Sequence, residues 1–127
     1  MLRIHMPLAW RAEPQFHHLF DAVSDPILVA NEAAEYVDAN TPASRLLGYS
    51  LREFCAMKVS DVVTRPPDWT ASEYRRYLAE GHWDGDVELR HKEGHTISVL
   101  ARARILQLDT GTAYVSVLKL KPDSSGS

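Results

Sequence analysis

The chain has 127 residues, 45% apolar and 24% charged, with one cysteine and a formal net charge of −3. That length suits one domain whose core needs no disulfide, and a lone Cys55 leaves neither a disulfide framework nor an intrachain cysteine metal cluster to build. The acidic balance argues against nucleic-acid binding by charge, no apolar run approaches the ~20 residues that span a bilayer, and His5 and Pro7 interrupt the opening stretch as a signal peptide; a soluble cytoplasmic domain is the expectation.

Residues 1–12 show no period and read as a leader. From Pro14 the period turns helical, with Phe16, Leu19, Phe20 and Val23 on one face. Asp25-Pro26 ends that helix, because the residue before a proline is pushed out of the α region. Ile27–Ala30 reads as a short buried strand and Tyr36–Ala39 as its hairpin partner. Thr41 is placed to cap a helix that runs to Leu47, with Pro42 in its first turn and Gly48 as its stop. Ser50 and Glu53 make a capping box for a helix over 51–57, and residues 60–63 allow at most one turn. Residues 65–69 contain two prolines and read as a rigid loop. Thr70 and Glu73 repeat the box and open a longer helix, ended by Gly81, with Ala71, Tyr74, Tyr77 and Leu78 on one face.

The remaining third is strand-like. Residues 86–91 alternate Val87 and Leu89 with Asp86, Glu88 and Arg90, and Lys92-Glu93-Gly94 turns the chain. Over 96–106, Ile97, Val99, Ala101, Ala103 and Ile105 share one face, and Ser98, Leu100, Arg102 and Arg104 the other. Asp109-Thr110-Gly111 turns into a last strand over 112–120, and residues 122–127 read as a linker. Two hairpins separated by helices imply an α+β domain, an antiparallel sheet with helices packed on one face.

Four short motifs punctuate this order: Asp38-Ala39-Asn40 before the first core helix, Leu47-Gly48-Tyr49-Ser50 after it, Trp83-Asp84-Gly85-Asp86 at the first late strand, and Arg90-His91-Lys92-Glu93-Gly94 at its hairpin. In this order and at this spacing the chain resembles the PAS (Per-Arnt-Sim) sensory family over about residues 14–121. The resemblance implies a five-stranded antiparallel sheet, with short helices and one longer helix on one face and an N-terminal amphipathic helix in front. Residues 1–24 would be leader and cap helix, 25–121 the core, and 122–127 a linker toward a downstream output domain. It implies a sensory module of a bacterial-type signalling protein (histidine kinase, cyclase or transcription regulator) that binds a small ligand, homodimerises, or both, and not an enzyme. Three departures stand out: Glu35 and Ala56 replace common glycines, and Leu118-Lys119-Leu120-Lys121-Pro122 replaces the usual Asp-Ile-Thr exit.

A pocket of this family lies between the long helix and the sheet. Its lining here would be Tyr74, Tyr77, Leu78, Val87, Leu89, Val99, Ala101 and Ala103, although the same apolar stripes also describe a plain packed core. Phe16, Leu19, Phe20 and Val23, with the outer sheet face, would form the dimer contact. Neither cofactor nor metal is expected. Haem-binding relatives place a histidine in or near the long helix, whereas here His82, His91 and His95 lie beyond it. His17 and His18 are adjacent and face apart. Cys55 sits outside the Asn-Cys-Arg-Phe-Leu context of cysteinyl-flavin photosensors and reads as a small buried hydrophobe. Two other readings stay open: a non-covalent flavin or haem sensor, and a small enzyme with Tyr74 and Tyr77 as proton donors and Asp38 as base. No phosphate loop, His-Glu-x-x-His or Gly-x-Ser-x-Gly motif supports the enzyme.

Overall fold

Period-two alternation builds the sheet that positions everything else. The computed structural model describes Phe20 and residues 22–65, 70–109 and 111–121. The strands are β1 (Ile27–Ala30), β2 (Tyr36–Ala39), β3 (Val63–Arg65), β4 (His82–Arg90), β5 (Thr96–Leu108) and β6 (Gly111–Leu120). They form one sheet in the order β2-β1-β6-β5-β4-β3, every neighbouring pair antiparallel. The helices α1 (Thr41–Leu47), α2 (Leu51–Phe54), α3 (Val59–Val62) and α4 (Ala71–Glu80) fall between β2 and β4 in the chain.

Register assigns the two faces, because residues directly opposite across an antiparallel pair point the same way. Trp83, Val87 and Leu89 oppose Ala103, Val99 and Ile97, while Ala101 and Ala103 also oppose Leu118 and Ser116. This is the inner face, which the helices cover. α1, α2 and α3 have seven, four and four residues, too short to persist alone in water. α1 contributes Ala43 and Leu47, α2 Phe54 and α3 Val62, all with no exposed surface. Burial of the Leu, Phe and Val side chains stabilises by about 1.5–3 kcal/mol apiece, so packing holds these turns in place. Tyr36 and Tyr49 meet the Phe54 ring edge-on, with centroids 5.7 and 5.3 Å away.

The outer face is partly covered too. Phe20 is buried against Val29, Val37 and Ala113, with Ile27, Leu108 and Val115 at the margin. Apolar residues on both faces of β1 are thereby accounted for: Leu28 and Ala30 point inward, Ile27 and Val29 outward. The N-terminal helix itself, Phe16 and Leu19 included, and the linker over 122–127 lie outside the described residues.

Several expectations are corrected. The sheet has six strands, not five. Val63 and Arg65 pair with β4, opposite Leu89 and Glu88, and the Thr64 hydroxyl donates to the Glu88 carbonyl at 3.2 Å. A three-residue strand next to Pro66 shows no alternation to detect. β4 begins at His82 rather than 86, because its ladder with β5 continues through Asp84 and Gly85 despite their low strand propensity. α2 stops at Phe54, so Cys55 caps it and is exposed instead of buried. Asn40, not Thr41, is the N-cap of α1.

Asn40 has no exposed surface and uses its whole amide. Its Oδ1 accepts from the Ile27 N–H at 2.8 Å and the Ala43 N–H at 3.1 Å. Its Nδ2 donates to the carbonyls of Phe20 at 2.9 Å and Asp25 at 3.0 Å. An apolar replacement orphans two donors and two acceptors, each costing about 1–3 kcal/mol when buried. Asn40→Leu is therefore expected to lose about 4 kcal/mol or more in urea unfolding. Asn40→Asp would turn a carboxylate oxygen toward two carbonyls, raising that carboxyl's pKa in the folded state. Its deficit against wild type should be largest at neutral pH and shrink as pH falls through the raised folded value toward the unfolded value of about 3.9. A deficit in Asn40→Leu below ~1 kcal/mol, or one in Asn40→Asp that grows on acidification, would contradict this.

Candidate ligand cavity

Small residues on the inner face make room beneath α4. Ala30 of β1, Ala101 and Ala103 of β5 and Ser116 of β6 sit in adjacent positions, with Ser116 opposite both Leu28 and Ala103. α4 starts at a complete capping box, in which the Glu73 N–H donates to the Thr70 hydroxyl at 3.1 Å and the Thr70 N–H to the Glu73 carboxylate at 2.9 Å. These bonds hold the Glu73 carboxyl below the usual range. Gly81 ends the helix in the left-handed region, its N–H donating to the Tyr77 carbonyl at 2.8 Å. Along its ten residues only Tyr77 is buried. Tyr74 and Tyr77 of the helix and the inner face of the sheet enclose a cavity of about 520 Å³, within the ~300–1,000 Å³ typical of small-molecule sites.

Its floor is apolar: Leu28, Val87, Leu89 and Leu118 surround the small residues. Four tyrosines, Tyr36, Tyr74, Tyr77 and Tyr114, ring it, and Asn31, Glu32 and Ser60 stand among the polar groups at its border. Burial pushes the Tyr77 phenol up, and the neighbouring Tyr114 and Tyr74 phenols add to the shift. Burial likewise drives the Tyr36 phenol well above its ordinary value, with Asp61 and then Tyr49 contributing. Both phenols are neutral at physiological pH and can donate or accept a hydrogen bond. The Asn31 amide is already committed to its own turn, accepting from the Ala33 and Glu35 N–H groups at 2.9 and 3.0 Å.

Trp83 closes one side. Its ring lies over Gly85, two residues on along the same face, so close that a Cβ at position 85 would meet the ring at 2.2 Å. Any side chain there would have to displace the Trp83 ring, which gives the Trp83-Asp84-Gly85 motif a packing reason. Tyr77 and Trp83 also border a second groove of about 370 Å³, which is lined otherwise by charged groups such as Glu73, Arg76, Glu80 and Asp84. Asp84 is engaged by Arg104 at 2.8 Å, which holds its carboxyl below the usual range.

Of the expected lining, Tyr74, Tyr77, Val87, Leu89, Ala101 and Ala103 converge on the cavity. Leu78 does not line it and is 47% exposed; it follows Tyr77 by one residue and so turns about 100° away on the helix. Val99 is fully buried in the core below, opposite Val87 and Leu120, and does not reach the cavity either. Tyr74 lines the cavity yet is 47% exposed, which puts it at the rim. The reading missed Leu28, Ala30, Tyr36, Trp83, Tyr114 and Ser116. Alternation in β6, with Tyr114, Ser116 and Leu118 on one side, carried a usable signal for that strand.

The other readings fare as follows. Asp38 opposes Val29, an outer-face residue, and does not line the cavity. It is not beside the tyrosine hydroxyls as the enzyme reading needs. His82 opposes Arg104 on the outer face, and among the described residues no histidine or cysteine lines the cavity. Phe20, expected in a dimer contact, is buried against its own sheet, whereas Val23 is 37% exposed.

Comparison with known proteins agrees with this architecture. No curated protein matches in sequence. A PAS domain of a two-component sensor histidine kinase superposes with a TM-score of 0.73 at 14% identity, covering 87% of this chain and 98% of that one. The PAS domain of an HTR-like protein from Haloarcula marismortui gives 0.68 at 15% identity, covering 87% and 98%. A domain of a sensory box sensor histidine kinase/response regulator from Geobacter sulfurreducens gives 0.66 at 18%, covering 88% and 96%. A family model described as PAS domain matches residues 15–82, more than half of the sequence. With the six-stranded sheet and the cavity under α4, this match establishes that the chain belongs to the PAS domain family.

Proposed function

We propose that this chain is the sensing module of a larger signalling protein and that its cavity takes a small, neutral, mainly apolar molecule. The carrying observation is the apolar floor beneath a helix of which Tyr77 is the one buried residue. A guest in that gap would touch helix and sheet together and favour one packing of α4 over another, which is how differential affinity becomes a signal. Neutral phenols at the wall supply polar contacts without demanding charge from the guest. The similarity to a PAS domain of a two-component sensor histidine kinase and to a domain of a sensory box sensor histidine kinase/response regulator supports a downstream signalling domain as the recipient. On this reading the domain works in the cytoplasm, performs no catalysis, carries no cofactor, and needs neither nucleic acid nor membrane; among the described residues no helix is long and apolar enough to cross a bilayer.

The occupant is tested by saturation-transfer NMR with indole and 2-naphthol as probes. Wild type should bind them. Ala103→Phe, which places a ring in the cavity at an overpacking cost of about 1–3 kcal/mol, should remain folded by circular dichroism and bind at least about tenfold more weakly. No binding to wild type, or equal binding to the variant, would refute the cavity's role.

Self-association is the second part of the proposal. The outer face of β5 leaves Leu100 and Leu106 more than a third exposed, and Val23 is similarly exposed. A second copy of the chain would cover this strip. Sedimentation velocity should find a dimer that Leu100→Glu dissociates. A monomer at every concentration, or a dimer indifferent to that charge, would place self-association elsewhere or remove it.

A further inference from the structure

The loop joining β4 to β5 carries His91, Glu93 and His95 at alternate positions, and none of them lines the cavity. Turn geometry brings them together. The His91 N–H donates to the His95 carbonyl at 2.8 Å, and the Gly94 N–H donates to the His91 carbonyl at 2.9 Å. Gly94 takes φ +107°, a conformation open to glycine and strained for other residues. The two imidazoles stack, with centroids 4.4 Å apart and planes 17° from parallel. Potential ligand atoms of His91, Glu93 and His95 all lie within 4.8 Å of one another.

One side of this cluster is held and the other is free to adjust. The His91 ring packs on Gly48, where a Cβ would meet its Cε1 at 2.8 Å. Its Nδ1 accepts from the Glu93 N–H at 3.0 Å. Lys92 anchors the loop to the junction of α1 and α2: its N–H donates to the Leu47 carbonyl at 2.9 Å, and its ammonium meets the Glu53 carboxylate at 2.7 Å. That pairing draws the one cation of the turn away from the cluster and holds the Glu53 carboxyl below the usual range. Glu93 and His95 are exposed.

We propose that this loop is a divalent transition-metal site, with His91 and His95 supplying imidazole nitrogens and Glu93 a carboxylate oxygen. Two imidazoles and one carboxylate suit Zn²⁺, Cu²⁺ or Ni²⁺ and disfavour Ca²⁺ and Mg²⁺, which take oxygen ligands. Bonds of about 2.0–2.2 Å require the donors to draw closer, and two stacked rings cannot both contain the ion in their planes. Binding therefore turns the exposed His95 out of the stack. Ligation through His91 Nδ1 replaces the hydrogen bond from the Glu93 N–H, and the ion ties the tip of the hairpin to the ring that rests on Gly48.

The test is a Zn²⁺ titration of the full chain, followed by amide NMR and repeated with Co²⁺ by visible absorption. The largest shifts should fall on Glu93, whose N–H loses its partner, and on Gly48. His95→Gln should bind Zn²⁺ at least about tenfold more weakly, with Glu93→Gln intermediate. His82→Gln should bind like wild type, and all three variants should melt like wild type without metal. Shifts centred away from residues 91–95, wild-type affinity in His95→Gln, or no response at millimolar Zn²⁺ would overturn the proposal. Should His95→Gln fail to fold, Glu93→Gln decides: unchanged Zn²⁺ affinity in it removes the site.

Discussion

Four hydrogen bonds from one buried amide fix where this fold begins. The Asn40 side chain joins the carbonyls of Phe20 and Asp25, the first amide of β1 and the first turn of α1. Its own backbone adds to the same knot, the N–H donating to the Ile27 carbonyl at 3.1 Å and the carbonyl accepting from Ser44 at 3.2 Å. The approach to the outer face, the centre of the sheet and the helices on its inner face are thus locked together at one point. No carboxylate or hydroxyl does this, because the site needs two donors and two acceptors on one short side chain.

Around that knot, stability is distributed unevenly. The inner core draws wholly buried side chains from every short helix, Ala43 and Leu47, Phe54 and Val62, and Phe20 seals part of the outer face. α4 lies at the other extreme, with a well-capped start and one buried residue. Low local stability belongs where an element must move. The small side chains of Ala30, Ala101, Ala103 and Ser116 keep a space beneath this helix that larger residues would fill. The proposed sensing role, a change in the packing of one helix, would need both: a frame that does not yield and a lid that does.

What could be read from the residues was what local chemistry dictates. The capping boxes at Ser50 and Thr70, the stops at Gly48 and Gly81 and the alternation in β5 all appear where spacing put them. The α+β architecture and family followed from their order. Features made by distant partners were not readable. β3 exists only because β4 offers an edge to Val63 and Arg65. Asn40 displaces Thr41 as cap because its amide also finds Phe20 and Asp25, 20 and 15 positions away. Of the six expected residues that converge on the cavity, Val87, Leu89, Ala101 and Ala103 do so because β4 and β5 alternate strictly, and Tyr74 and Tyr77 because they share a helical stripe. Leu78 fails because a helical stripe does not say how deeply a helix settles. Cys55 turned outward for a similar reason, since α2 ends as soon as Phe54 is buried.

The central claim is a rigid knot at Asn40 beside a lightly held α4, and native-state hydrogen exchange tests it most directly. The amides of Ile27 and Ala43, both bonded to the Asn40 side chain, should exchange within about 1 kcal/mol of the most protected amides in the domain. The α4 amides, such as that of Gly81 bonded to the Tyr77 carbonyl, should exchange at least about a hundredfold faster through local opening. Equal protection of α4 and Ile27, or rapid exchange at Ile27, would contradict the account.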